Sequence, residues 1–406
     1  MFAMPGPMLP PVTIPTAYWV AAPTPQSAYC KSPLVPATVK TSWSRARYAS
    51  PRPPRGPPRL LASYCSPEGD EAHVAYDALL RLAAAFWTNQ LPVETLLPQL
   101  SDLAQLTLQT ALAWAEAEMQ RRHGSVRTGN GQVAPFIVIA LGKLGGREMG
   151  FASDLDLVYL YDASLDTESD GALPLPAPTW FARLGQRLIH ILSTLTRAGL
   201  LYQIDMRLRP SGQSGPLVTT LEAFSRYQHE SAWTWEHQAL TRARWVAGDG
   251  ELGARFTSLR AEILGRPRQP EQLVEDVRNM RQRIYQSKPF ARDGFHLKLS
   301  PGGLTDIEFL VQFAMLGACA QQPALCKDTG TAAGIAALTR AGIWSAEQGA
   351  ILGQVWQRYR QEENRRWLNL QDNEIRAAEI PGWDALQAVA HGVREIWQEL
   401  IGSYSD

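Results

Sequence analysis

FIVIALGKLGGREMGFASDLDLVYLYD, residues 136–162, is the stretch whose reading decides the fold. Its apolar run Phe136 to Leu141 has the length and composition of a buried strand. Gly142-Lys143-Leu144-Gly145-Gly146 then reads as a turn in which missing side chains let backbone N–H groups approach a ligand closely. A second strand follows and carries Asp154 and Asp156. Alternate residues of a strand project from one face, so these two carboxylates stand side by side. Neighbouring carboxylates resist ionising together, and a shared divalent cation removes the conflict. Hard oxygen donors of this kind suit Mg²⁺. A lone Asp-x-Asp is more often an exposed edge pair or a turn acid beside a cap. The glycine turn just upstream and a further carboxylate downstream turn the reading toward a metal site.

That further carboxylate is Asp205. Leu201 to Leu208, LYQIDMRL, alternates, with Tyr202, Ile204 and Met206 on one face and Gln203, Asp205 and Arg207 on the other. Such a polar face is either solvated or lines a site. Arg209 to Gly215 forms a tight turn with more phosphate-compatible groups. Three carboxylates, Asp154, Asp156 and Asp205, are enough to hold two cations against a nucleoside triphosphate.

Around this centre the spacing predicts helices. One starts near Glu71. A second spans Ser101 to Arg122, with Leu103, Leu106, Thr110, Ala113, Trp114 and Ala117 facing a core. Ala163 to Pro178 reads as a mobile loop near a substrate entrance. A helix Thr179 to Arg197 follows, with Gly199 as its cap. Leu217 to Thr219 is a short strand, and Thr219 with Glu222 has capping-box spacing. The next helix, Leu221 to Val246, holds Trp233 and Trp235 as core or interface residues. Its polar residues Glu236, His237, Arg242 and Arg244, taken alone, make a solvated face. Pro270 to Gln286 is helical. A glycine turn at 296–303 leads into a helix whose first-turn acids, Asp306 and Glu308, suit the helix dipole. Thr331 to Tyr404 reads as all-helical, with a break at Glu379 to Trp383.

The 406 residues allow two or three domains. Residues 1–70 are expected to form a disordered leader, since the first 67 residues hold 15 of the 29 prolines, including the run PRPPRGPPR. Residues 71–265 and 266–406 are expected to be a mixed α/β unit and a helical one. Lys plus Arg equals Asp plus Glu at 39 each, so no global field favours nucleic acid or an anionic membrane. Prolines in the uncharged first 30 residues forbid a spanning helix, and no basic segment precedes an apolar one. Cys30, Cys65, Cys319 and Cys326 show no zinc spacing and suggest free thiols. The expected compartment is the cytoplasm.

The order Gly145-Gly146, Asp154-Leu155-Asp156, Asp205 resembles the DNA polymerase β-like nucleotidyltransferases. More narrowly, GKLGGREMGFASDLDL, MRLRPSGQSGPLVTT, AWTWEHQALTRAR and KLSPGGLTDIEFLVQ are similar to the glutamine-synthetase adenylyltransferase/deadenylylase family, in the right order from about Glu71 to the end. The resemblance implies an α+β fold, with a small mixed sheet flanked by helices and followed by a C-terminal helical bundle. It also implies transfer of AMP from ATP to a tyrosine of glutamine synthetase, releasing pyrophosphate and down-regulating that enzyme in nitrogen control. RLRPSG with WTWEHQALTRAR is similar to the family's C-terminal, adenylylating copy, and the chain has room for one copy. By the same resemblance Asp154, Asp156 and Asp205 would hold Mg²⁺, with Asp205 helping to accept the tyrosine proton. Lys143, Gly145, Gly146 and Ser153 would hold the triphosphate. Arg207 and Arg209 would be phosphate or protein-substrate contacts, or else structural ion pairs. The PII signal protein is an expected partner. The alternatives are phosphorolytic deadenylylation giving ADP, a non-catalytic ATP-binding regulatory module, and a template-independent nucleic-acid nucleotidyltransferase, which the neutral charge disfavours.

Overall fold

The computed structural model describes residues 70–194, 200, 202–287, 294–376 and 383–404. The expected leader with Cys30 and Cys65, the expected cap Gly199, Leu201 and most of the expected 379–383 break lie outside the described residues. Two helices lead in, α1 (Asp70–Trp87) and α2 (Val93–His123). The sheet is then built from β1 (Phe136–Ala140), β2 (Leu155–Tyr161), β3 (Ile204–Asp205), β4 (Val218–Thr220) and β5 (Arg244–Gly248). Strand order is β3-β2-β1-β5. β1 runs antiparallel to β2 and to β5. β3 and β4 run parallel to opposite ends of β2, with Asp156 paired to Asp205 at one end and Tyr161 to Thr220 at the other. This is the small mixed sheet expected, and every residue of β1 is buried, as a central strand requires.

β5 was not legible as a strand. The helix expected over 221–246 is instead α5 (Leu221–Glu230), then α6 (Thr234–Thr241), then β5. The Ser231 and Ala232 amides fold back on the Tyr227 carbonyl and end α5. Val246 and Ala247 are buried against β1. A short apolar run without punctuation cannot reveal that a strand is waiting for it. The helix cap is Thr220, whose side chain accepts from Ala223 N, one residue later than expected; Glu222 pairs with Arg226 at 2.8 Å instead.

α2 starts at Val93, well before the expected Ser101, and carries Pro98 within it. Its buried face holds Leu103, Ala104, Leu108, Ala111, Leu112, Ala115 and Met119, while Trp114 is 43% exposed. The small alanines let α2 lie close to β5 and to α4 (Ala177–Ser193). Close approach therefore outweighed the gain from burying an indole. The 163–176 loop leaves the end of β2 opposite Asp154. Its Asp170 carboxylate accepts from Ser125 N at 2.7 Å and pairs with Arg127, so it borders that end rather than the acidic one.

Beyond β5 the chain is helical: α7 (Gly250–Leu264), α8 (Pro270–Ser287), α9 (Leu304–Ala318), α10 (Thr331–Arg340), α11 (Ala346–Leu368) and α12 (Trp383–Leu400). The expected all-helical C-terminal region also contributes β7 (Glu374–Arg376), antiparallel to β6 (Gly294–His296). α8 and α9 pack on α6, so the helical part is built onto the sheet-bearing part. Asp306, read as a first-turn acid suited to the helix dipole, is fully buried. Arg281 pairs with it, and Gly302 N and Tyr404 Oη donate to it at 2.6 and 2.7 Å. Among the described residues no helix is long and apolar enough to cross a membrane. Arg281→Ala strands the Asp306 charge in the interior, and urea denaturation is expected to show a loss of about 3–5 kcal/mol.

Candidate active site

Asp154 lies one residue before β2 and is exposed; Asp156, on β2, is half-buried. The strand is fixed on both sides here, since Leu155 N donates to Gln203 O and Leu141 N donates to Asp156 O, each at 2.9 Å. Asp205 is the register partner of Asp156 on the parallel neighbour, so the two residues sit side by side at one sheet end. Burial, then the charges of Asp154 and Asp205, push the Asp156 carboxyl from 3.8 to about 6, against a smaller pull from Lys298 and Arg242. Asp205 behaves oppositely. Arg207 donates to it through Nε at 2.8 Å and through its own backbone N at 2.8 Å, which holds this carboxyl below the usual range.

Whether this trio suits a divalent cation can be judged from the same contacts. As they stand, no three His, Cys, Asp or Glu side chains among the described residues are gathered closely enough to hold one. Asp205 is turned onto Arg207, whose side chain is 71% exposed and so has solvent to swing into. The remaining features fit an ion such as Mg²⁺: all donors are carboxylate oxygens, and Asp156 carries uncompensated repulsion that a cation would relieve. Gly142 adds a cradle. Its φ is +51°, and a Cβ there would overlap Asp156 Oδ2.

The segment read as a glycine turn is one turn of helix, α3 (Gly142–Gly145). Lys143 leaves it to pair with Glu363 of α11 at 3.0 Å. Gly145 and Gly146 meet protein atoms: a Cβ on the first would overlap the Arg242 carbonyl oxygen, and on the second would lie 2.7 Å from Arg242 Nη2. Ser153 Oγ accepts from Gly150 N at 2.9 Å and shapes the turn ahead of Asp154. Arg209 is spent on carbonyls of its own turn, Met206 at 2.7 Å and Gln213 at 3.2 Å.

The polar residues Glu236, His237, Arg242 and Arg244, read alone as a solvated face, are buried or half-buried. Glu236 is buried and accepts from Tyr227 Oη at 2.8 Å and from Trp233 N at 2.9 Å. Arg242, 6% exposed, sits between Glu148 and Glu308, the latter at 3.3 Å. Arg244 donates to the Leu144 and Gly145 carbonyls at 3.1 and 3.2 Å. Arg360 pairs with Glu363 and donates to the Glu148 carbonyl. Burial opposes ionisation of Glu363, but Arg360 and Lys143 outweigh it and hold the carboxyl at about 2. Trp233 is the exception to interior placement, at 70% exposed. Sequence reasoning missed Gly142 as the glycine against Asp156, and Glu148 and Glu363 as the anions that fix the loop. Glu363 lies in the charged run RQEENRR, residues 360–366, which carries no signal that it is interior.

With this geometry in hand, comparison places the chain. The family model for glutamate-ammonia ligase adenylyltransferase matches residues 72–259, and the one for GlnD PII-uridylyltransferase matches residues 272–374. A bifunctional glutamine synthetase adenylyltransferase/adenylyl-removing enzyme of Nitrosococcus oceani is 42% identical over 334 residues, 81% of this chain and 34% of the relative. The chain belongs to the glutamate-ammonia ligase adenylyltransferase family. Proteins of the same name from Pseudomonas syringae pv. tomato and Brucella suis are 39% identical over 336 residues and 51% identical over 217 residues. These cover 79% and 53% of this chain, and 34% and 22% of the relatives. The chain thus spans about a third of the length of the first curated relatives it matches.

Two outcomes follow from the charges. Because the Asp156 carboxyl is raised in the fold, ionising it costs stability fully above about pH 6, and the cost fades as pH falls to 3.8. Asp156→Asn is therefore expected to raise the melting temperature at about pH 8, by up to about 3 kcal/mol of stability, with no gain at about pH 4. Added Mg²⁺ should stabilise the parent chain and not the variant. Glu363 is depressed, so its contribution is present above 4.5 and is lost as pH falls toward about 2. Glu363→Gln leaves Lys143 and Arg360 without their anion, and chemical denaturation at neutral pH should show a loss of about 3–5 kcal/mol.

Proposed function

We propose that this chain moves AMP from ATP to a tyrosine hydroxyl of glutamine synthetase. The tyrosine oxygen bonds to the α-phosphorus as the bond to the pyrophosphate oxygen breaks, and the hydroxyl proton passes to a carboxylate of the trio. The observation that carries this reading is the acidic end of the sheet, Asp154 and Asp156 beside Asp205 on the parallel neighbour, in a chain of this family. Asp154, Asp156 and Asp205 would hold Mg²⁺, which when bound neutralises phosphate charge and polarises the α-phosphate. Lys143, Gly145, Gly146 and Ser153 shape the loop on which the triphosphate would lie, and Arg207 is free to meet phosphate once it leaves Asp205.

The relatives' printed name includes removal of adenylyl groups as well as their attachment. RLRPSG and WTWEHQALTRAR favour attachment here, since both forms are similar to the adenylylating copy. The match of residues 272–374 to a PII-uridylyltransferase supports the PII signal protein as a regulatory partner.

Incubation with Mg²⁺, α-labelled ATP and unmodified glutamine synthetase should add one AMP to the synthetase, read by intact mass. Asp154→Asn should abolish the transfer while leaving the melting curve in place. Undiminished labelling by that variant would reject the assignment. Release of ADP from adenylylated synthetase and phosphate, without forward transfer, would reverse the direction.

A further inference from the structure

The segment HLKLSPGG, residues 296–303, stood out in the sequence, and the chemistry so far leaves it without a task. Its backbone is held at every point. Lys298 N donates to His296 Nδ1 at 3.1 Å, and the Lys298 carbonyl accepts from Thr305 N at 3.0 Å in the first turn of α9. Leu297 and Leu299 on either side are buried. His296 N donates to Ser300 Oγ at 2.8 Å, and Gly303 packs against the Lys298 carbonyl carbon, where a Cβ would lie 3.2 Å away. From this fixed turn the Lys298 side chain alone is exposed, and its ammonium has no hydrogen-bond or ion-pair partner among the described residues.

The cations near the acidic end of the sheet are otherwise committed. Lys143 is on Glu363, Arg242 on Glu148 and Glu308, and Arg360 on Glu363. Arg207 is on Asp205, and Arg209 is on the carbonyls of its turn. In the buried network Lys143, Arg242 and Arg360 face Glu148, Glu308 and Glu363, so its charge is balanced before any ligand arrives. Lys298 stands outside that balance. The turn that carries it is tied to the first turn of α9, whose Glu308 pairs with Arg242 at 3.3 Å, and the Arg242 carbonyl lies against Gly145 of α3, so the turn belongs to the framework around the acidic end of the sheet.

We infer that Lys298 is the cation that receives the triphosphate, its ammonium meeting the β- and γ-phosphate oxygens of ATP bound at Asp154 and Asp156. The inference rests on the nucleotide-binding part of the adenylyl-transfer reading. A lysine on a tethered backbone, exposed and unpaired, loses little on binding a polyanion, because no ion pair has to break first. Lys143 would have to abandon Glu363 to do the same and leave two charges stranded. The arrangement also gives the region that matches a PII-uridylyltransferase a direct part in nucleotide binding, although the acidic strand lies outside it.

The test is equilibrium binding of Mg²⁺-ATP and of AMP to the full chain and to Lys298→Ala and Lys298→Arg, with melting curves as the fold control. Loss of the ammonium should weaken ATP by about tenfold or more, leave AMP within about twofold, and raise KM for ATP more than it lowers kcat. Lys298→Arg should recover most of the ATP affinity, since charge is retained. Unchanged ATP affinity in Lys298→Ala overturns the inference, and so does equal weakening of ATP and AMP. A parent chain that binds Mg²⁺-ATP with this Lys298 dependence but modifies no glutamine synthetase sinks the transfer reading and leaves Lys298 in place. A parent chain that binds no ATP overturns both.

Discussion

The candidate site depends on Arg242. Its guanidinium is buried between Glu148 of the loop after α3 and Glu308 of α9, and its backbone carbonyl is pressed against Gly145. Removing such a charge from water is costly and is offset only by close, complete pairing. Glu148 is bound further by Thr331, whose Oγ1 donates to it at 3.0 Å. The loop that presents Asp154 and Asp156 therefore cannot drift without uncovering a buried charge. Helices distant in the chain thus set the position of residues 142–154.

α11 adds a second hold on that loop. Glu363 takes Lys143, Asn364 Oδ1 accepts from Phe151 N at 3.1 Å, and Arg360 reaches the Glu148 carbonyl. A Cβ on Gly150 would lie 2.8 Å from Asn364 Oδ1, so this glycine allows the close approach. A nucleotidyl-transfer site needs its phosphate-facing loop fixed before substrate arrives, because the catalytic gain comes from positioning and charge. The C-terminal helices hold residues 142–154 in this way, and on the proposed reading the turn before α9 would add the Lys298 charge.

The acidic end of the sheet shows the complementary principle. Asp156 is raised and Asp205 lowered, although they are register partners. Asp156 is raised first by burial and then by the charges of Asp154 and Asp205, whereas Arg207 satisfies Asp205. This unevenness leaves part of the site unsatisfied, as a cation-binding centre requires. A site satisfied throughout would have no call on an ion.

The sequence by itself determined the sheet's central strands, the position of Asp154 and Asp156 at the start of one of them, and the helical character of the chain beyond the sheet. These rest on local rules: the period of two along a strand and the runs of apolar residues that form buried strands or helix faces. The tertiary structure alone decided that Arg244–Gly248 is a strand, which face of α2 turns inward, and that Asp306 and Arg242 are interior. It also showed that Gly145 and Gly146 pack against Arg242 while Gly142 faces Asp156. Each of these turns on a partner far away in the chain. A short apolar run becomes a strand only beside β1, and a charge can be buried only where its counter-ion arrives. Local spacing carries no record of either.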